Sequence, residues 1–557
     1  MKPSFQLSPR EVAAHEEVGK TRIDRRPAWG FLIIFLAILY GVPLHQAWVT
    51  TPTEPNLSDA IADARRHVEQ AMATPQSPGR RAIAANRALL QSMHRFEDEL
   101  EDEWLVGQAI RPWLQYPLSR FGGLGNEQAY IGRDGWLFYR PGIDSLTGPG
   151  FLDPRQLARR RAAGEEWEHP PQPDPRPAII EFHRQLAERD ITLILVPTPI
   201  KPSLYPHYFS RRFTAADAPL QNSSYKDWVA AMDAAGVLVF DPAPILAATA
   251  GTDSAPRYLA TDTHWRPEAM EYIASALADF IREQRPDVAQ NTHTLHRRPQ
   301  TVTGLGDVAL LLDRSPDRPG GGLETVTVHQ VMTSDDQFLR THTDADILLL
   351  GDSFSNLYSL ESMGWGEAAG FGEQVSYHLR RPIDRLIRND DGAGATRAML
   401  QRELARGRDR LAGKRVVIWQ FATRELAVGN WRHTPLRLQT PPPTQFWLAP
   451  AGSAVVRTGR VRAVSAVPRP GTVPYRDHVV AVHLVDLPDD EQALVYMLSM
   501  QDNQWTPAAR LRPGDEIVLR LRPWADVADT YEALNRSELD DIALQLEEPN
   551  WGEWIDP

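Results

Sequence analysis

The sequence predicts an α/β fold: a parallel sheet flanked by helices, preceded by an N-terminal transmembrane helix and followed by a C-terminal β-rich domain. Three observations carry this. Short apolar runs alternate with amphipathic segments between residues 178 and 421, the pattern of parallel strands covered on both faces. One uncharged apolar stretch occupies residues 28–48. After the Thr-Pro-Pro-Pro run at 440–443 the character shifts to strands separated by turns.

The chain has 557 residues, enough for two or three folded units. Its net charge of −12 argues against nucleic acid as a partner, because phosphates favour basic faces. With no cysteine there is no disulfide scaffold, no cysteine nucleophile and no thiolate metal site, and the chain suits an oxidising compartment as well as a reducing one.

Residues 1–27 form a charged lead containing Lys20, Arg22, Arg25 and Arg26. Residues 28–48 follow, long enough to cross a hydrocarbon layer of ~30 Å, with Trp29 and Trp48 at the two headgroup levels. The positive-inside rule places 1–27 in the cytoplasm and the rest outside. A cleaved signal peptide is the competing reading. The lead is long for one, and no small-x-small cleavage site follows Trp48. Residues 49–123 read as helical, over 57–72 and 81–104, and the acidic run at 97–103 reads as a solvated face.

The next unit spans 124–434. It opens with a hairpin over 130–139 around Asp134-Gly135. A proline-rich connector at 169–177 is read as irregular, and Arg159-Arg160-Arg161 as a solvated helix face. Helices are expected at 178–189, 227–235, 267–283 and 397–411, and strands at 191–196, 237–240, 347–350 and 416–421. Pro319 to Gly322 reads as a flexible connector. The last unit, 435–557, has strand-like runs at 479–485, 493–498 and 517–521. Its tryptophans, Trp447, Trp505, Trp524, Trp551 and Trp554, suit either core packing or stacking on sugar rings.

Two motifs bear chemistry. Thr261-Asp262-Thr263-His264-Trp265 offers a carboxylate two residues before an imidazole, on one face if the segment is extended. Leu350-Gly351-Asp352-Ser353-Phe354-Ser355 places a serine just after a strand, at the carboxyl rim where parallel sheets bind ligands. Ser353 needs a base to become a nucleophile, and His264 oriented by Asp262 supplies one. A helix starting after Ser353 turns its N–H groups toward a developing oxyanion. The competing reading makes Asp262 a cap for the helix near Pro267 and His264 a half-buried histidine. There is no phosphate-binding Gly-x-x-x-x-Gly-Lys-Ser/Thr loop and no His-Glu-x-x-His helix, so neither a cofactor nor a metal is expected.

With these motifs the chain resembles the alginate O-acetyltransferase AlgJ/AlgX-like family of the SGNH-hydrolase superfamily. The matching residues are Gly132 to Phe138, Val196-Pro197, Lys201, Tyr205-Pro206, Asp262 to Trp265, Gly304 to Asp307, Gly351 to Ser355, Trp419 to Phe421 and Arg424 to Leu426. In that family Asp and His precede the serine, as here. The resemblance implies an SGNH-hydrolase-like catalytic domain over 124–434 with Ser353 as nucleophile, His264 as base and Asp262 as orienting acid. It implies periplasmic O-acetylation of an exported polysaccharide, with acetyl supplied by a membrane-bound O-acyltransferase at the inner membrane. Lys201, Trp265 and Ser355 are the candidate substrate contacts, Lys201 being equally readable as a solvated loop lysine. The chain carries Gln420 where the family more often has Glu. An acetyl esterase with the same three groups, and a catalytically silent scaffold that binds glycan or a synthase, remain the alternatives.

Overall fold

The structure is a computed structural model that describes residues 123–555, apart from short internal segments such as 164–170, 250–255 and 315–321, and isolated residues between Leu32 and Met93. The chain divides into two units, Met1–Leu114 and Gln115–Pro557. In the first, the described residues are helical. The expected anchor at 28–48 lies outside the described residues except for Leu32 and Leu36, and the acidic run at 97–103 lies outside them entirely. Among the described residues no helix is long and apolar enough to cross a membrane.

The second unit opens with β1 (Ala129–Ile131) and β2 (Leu137–Tyr139), an antiparallel hairpin. Its turn places Asp134 and Gly135 at φ 54° and 86°, the left-handed conformations an Asp-Gly turn supplies cheaply. Helix α1 (Pro175–Ala187) starts inside the connector that was expected to be irregular. Pro175 sits at its first position, where a missing N–H costs nothing, and Asp174 caps the end by accepting from Arg176 N–H. Arg160 is not on a fully solvated face either: its guanidinium donates to Gly429 O at 2.7 Å.

Next come β3 (Thr192–Thr198), α2 (Tyr225–Ala234), β4 (Leu238–Val239) and α3 (Pro267–Gln284). A hairpin of β5 (Leu295–Leu305) and β6 (Leu323–Thr333) then stands apart as its own two-stranded sheet. It was not expected, because β5 is mostly polar and exposed with Pro299 at its middle, and β6 mixes polar with apolar residues without a clean alternation. The segment 315–321, with most of the Pro319 to Gly322 connector, lies outside the described residues. β7 (Ile347–Gly351), α4 (Ser353–Asn356), α5 (Phe371–Leu379), β8 (Asp384–Ile387), α6 (Gly394–Ala405) and β9 (Val416–Ala422) complete the α/β layer. The helix read over 397–411 stops early, where Gly407 takes a positive φ of 81°.

The central sheet has the order β4-β3-β9-β7-β8, every neighbouring pair parallel. β7 and β9 are buried along their whole length, which is why they read as uninterrupted apolar runs. Separate apolar clusters cover the two faces, one around α3 and α5, the other around α1, α2 and α6. Because the strands run the same way, Thr198, Gly351 and Ala422 end together at one rim.

The C-terminal part is a barrel-like unit. β10 (Val455–Val464), β11 (His478–Leu487), β12 (Glu491–Gln501), β13 (Gln504–Trp505), β14 (Glu516–Pro523), β15 (Asn535–Ser537) and β16 (Asn550–Trp554) form one sheet. Pairing runs β12-β16-β14-β10-β11 and returns from β11 to β12, closing a ring around Val461, Val482, Val495 and Leu519. Trp551 is buried and stacks on Tyr531 at 4.0 Å, and Trp524 meets Tyr496 edge-on, so both pack. Trp505 and Trp554 stay partly exposed, at 41% and 39%. Loops of this unit rest on the α/β layer: Tyr475 joins its apolar cluster, Arg476 N–H donates to Ser362 O, and Glu532 and Glu538 pair with Arg410 and Arg402.

Candidate active site

The residues 261–264 form a tight turn instead of the extended segment expected. Asp262 Oδ1 accepts from His264 N–H at 3.0 Å, which folds the backbone back and brings the imidazole onto the same oxygen. His264 Nδ1 then lies 2.6 Å from Asp262 Oδ1. The other oxygen, Oδ2, accepts from Asp307 N–H at 3.0 Å and from the Trp365 indole N–H at 3.1 Å. Asp262 is therefore not the cap of α3, whose N-cap position is Arg266.

Three supports hold this turn. Lys201 Nζ donates to Leu259 O and Ala260 O, both at 3.0 Å. The Glu324 carboxylate accepts from Ala260 N–H, Thr261 N–H and Thr261 Oγ1. Gly306 passes so close that a Cβ there falls 2.3 Å from Thr261 carbonyl atoms, so only glycine fits.

Ser353 opens α4 directly beyond β7. Its Oγ lies 2.8 Å from His264 Nε2, across 89 residues of sequence. Asp352 caps the helix: Phe354 N–H donates to its Oδ1 and Ser355 N–H to its backbone oxygen. Both amides are thus engaged within the turn, so neither is aimed at an oxyanion as expected from the helix start. Gln420 locks the same region. Its Oε1 accepts from Asp352 N–H and Ser355 Oγ, and its Nε2 donates to Thr198 Oγ1 and Asp352 Oδ1. Gln420 thereby uses both ends of an amide where a carboxylate offers only acceptors.

The three candidate substrate contacts are all enclosed. Trp265 donates from its indole to Phe354 O at 3.1 Å, Ser355 bonds Gln420 at 2.6 Å, and Lys201 is 2% exposed. Each braces the frame of the site and none presents its polar group to solvent. Lys201 is no solvated loop lysine: its ammonium lies over the rings of Trp136 and Phe138.

Burial acts against the charge on His264, but the Asp262 carboxylate, then Asp307 and Asp352, outweigh it and hold the imidazole above its usual value. Burial likewise opposes ionisation of Asp262, yet His264 and the surrounding N–H donors keep it below the usual carboxylate range. Asp307, buried beside the Asp262 charge, is pushed up to about 6. Lys201 is pushed down to about 8 by burial, in spite of Asp307, Asp262 and Glu324.

Asp262, His264 and Asp307 bring potential ligand atoms within 4.8 Å of one another. Both carboxylates are already filled by N–H and O–H donors, so the cluster coheres through hydrogen bonds. Chemically the set offers a serine hydroxyl on a base whose far nitrogen faces a carboxylate, the arrangement that acyl transfer through serine requires. Asp307 and Trp365 received no role from the sequence. The available signals were the Gly304-x-Gly306-Asp307 pattern and a tryptophan between two glycines, Gly364 and Gly366.

A family model described as "SGNH hydrolase-like domain, acetyltransferase AlgX" matches residues 129–423. The chain is 26% identical over 332 residues to a probable alginate O-acetylase AlgJ of Pseudomonas fluorescens, covering 58% of this chain and 74% of that protein. It is 32% identical over 243 residues to the Pseudomonas aeruginosa protein of the same name, covering 42% of this chain and 54% of the relative. Among solved structures, the O-acetyltransferase domain of Pseudomonas putida AlgJ aligns over 54% of this chain and 93% of its own, at 20% identity and TM-score 0.40. Pseudomonas aeruginosa AlgX aligns over 70% and 89%, at 16% identity and TM-score 0.38.

Proposed function

The chain belongs to the SGNH hydrolase-like family of AlgX-type acetyltransferases, and from that premise we propose that it moves acetyl groups onto hydroxyls of an exported, alginate-like polysaccharide through an acetyl-serine. The observation that carries the reading is the continuous line Asp262–His264–Ser353, with contacts of 2.6 and 2.8 Å. His264 Nε2 takes the proton from Ser353 Oγ as that oxygen attacks the acetyl carbonyl. The tetrahedral adduct collapses, and the donor's leaving group departs with the proton from His264. A sugar hydroxyl then attacks the acetyl-serine and gives its proton to Nε2. When the second adduct collapses, Ser353 leaves the acetyl group and recovers that proton. Asp262 stabilises the imidazolium in both halves.

The uncharged apolar stretch at 28–48 supports a place at the inner membrane with the α/β domain in the periplasm, beside a membrane-bound O-acyltransferase that supplies acetyl. The test uses purified protein, a chromogenic acetyl ester and an oligo-uronate acceptor followed by mass spectrometry. Expected are ester turnover that falls at least ~10³-fold in Ser353→Ala, and acceptor that gains acetyl. Unchanged turnover in Ser353→Ala overturns the mechanism, and acetyl loss with no gain from any donor overturns transfer.

A further inference from the structure

Asp307 is not in the line from Asp262 to Ser353, yet it governs a group that touches His264. It is buried at the start of a short helix, Asp307–Leu311. Its Oδ1 accepts from Thr263 N–H at 2.7 Å and from Val308 N–H at 2.7 Å. Its Oδ2 accepts from the Thr263 hydroxyl at 2.5 Å. That hydroxyl oxygen in turn lies 3.0 Å from His264 Nδ1, and Asp307 Oδ2 itself is 3.7 Å from the same nitrogen.

An ionised carboxylate has only acceptors, so the Thr263 hydroxyl proton must point at Asp307. With its proton placed there, Thr263 Oγ1 offers His264 a lone pair and nothing else. Nδ1 must then carry the imidazole proton, facing Asp262 Oδ1 and Thr263 Oγ1, and Nε2 keeps the lone pair it needs to accept from Ser353. We infer that Asp307 is a positioning residue: through the Thr263 hydroxyl it holds His264 in its Nδ1–H tautomer, and it sets a second negative charge behind the imidazolium. This rests on His264 acting as the base for Ser353.

The groups around this cluster are Asp262 on the same turn, Lys201 from the helix Lys201–Leu204, Glu324 from β6 and Asp352 from the end of β7. Asp307 ionises near pH 6, so its charge is in place wherever His264 is neutral enough to act as a base.

The test is the pH profile of kcat and KM for a chromogenic acetyl ester in Asp307→Asn, Thr263→Val, the double variant and Ser353→Ala. In Asp307→Asn the amide oxygen takes the Oδ1 position, where two N–H donors converge. The amide N–H₂ then faces Thr263 Oγ1 and turns the hydroxyl proton toward Nδ1, favouring the wrong tautomer. Expected is a loss in kcat of roughly 10- to 100-fold with KM nearly unchanged. The acid limb should move to lower pH, because His264 loses a carboxylate neighbour. Removing the hydroxyl removes the misdirected proton, so the double variant should be no slower than Thr263→Val alone. Additive losses, or an unmoved acid limb, overturn the inference. Should Asp307→Asn fail to fold, the contrast of Thr263→Ser with Thr263→Val decides it, and equal kcat in those two overturns it. Turnover that is abolished in Ser353→Ala and intact in Asp307→Asn sinks this inference alone. Turnover that survives Ser353→Ala sinks the parent reading.

Discussion

The indole N–H of Trp365 reaches Asp262 Oδ2 at 3.1 Å, on the carboxylate oxygen that His264 does not use. Trp365 lies in a loop that the C-terminal unit contacts: Arg476 N–H donates to Ser362 O, and the Arg476 guanidinium covers Gly364. The barrel-like unit therefore bears on the loop that presents Trp365 to the Asp262 carboxylate.

Trp365→Phe keeps the bulk of the ring and deletes the donor. A hydrogen bond to a charged group is worth about 1.5–3 kcal/mol. Expected are a loss of stability of that order in urea melts and a fall in kcat of roughly 10-fold. Unchanged kcat would show that the His264 and Asp307 N–H groups suffice to orient Asp262.

Replacing Asp262 by Asn presents an amide N–H₂ to Nδ1 and favours the wrong tautomer. Esterase kcat should fall by roughly 10³- to 10⁴-fold. In the wild type, kcat/KM should rise with pH through a midpoint above the ordinary histidine value, because His264 must lose its proton to act. The stability effect has the opposite sign. A histidine raised in the folded state stabilises fully below about pH 6.5 and loses that contribution as pH climbs through the folded value. Denaturant melts of Ser353→Ala, which keeps the pair, should therefore weaken as pH rises through that window.

Lys201 titrates near 8 in the fold and near 10.5 when unfolded. Between those values the unfolded chain binds more protons, so stability rises with pH there. Lys201→Met should abolish this slope. It should also cost about 1–3 kcal/mol by stranding the Leu259 carbonyl, with kcat lowered as the turn before Asp262 loosens. Melts of both proteins at pH 8 and pH 10 check this, and a slope that persists in the variant refutes the assignment to Lys201.

Gln420→Glu puts a carboxylate oxygen where the amide donates to Asp352 Oδ1 at 2.8 Å. A buried like-charge pair raises the new carboxyl's pKa. The variant should lose about 2 kcal/mol or more at pH 8 and recover stability at pH 5, where the introduced carboxyl is protonated. Thermal melts at the two pH values decide it, and equal losses at both reject the charge argument.

Much of the α/β layer was legible because buried parallel strands carry no alternation. Ile347-Leu348-Leu349-Leu350 and Val416-Val417-Ile418 show this on inspection. The β5–β6 hairpin was not, because its strands take their order from pairing with each other. Asp262 and His264 were legible together, two residues apart. Asp307 and Trp365 were not, since they reach Asp262 across 45 and 103 residues.

By itself the sequence determined the local pieces: an apolar strand ending in Gly351-Asp352-Ser353, a carboxylate two residues before an imidazole, and the chain order Asp, His, Ser. These follow from backbone propensity and spacing, which act over a few residues. Only the tertiary structure decided that Asp307 and Trp365 meet on the second oxygen of Asp262, that Lys201 is a buried brace, and that Asp307 stands behind Thr263 at the same imidazole. Those outcomes depend on desolvation and on hydrogen bonds between distant segments, and these are set when the sheet, the turn and the barrel-like unit pack together.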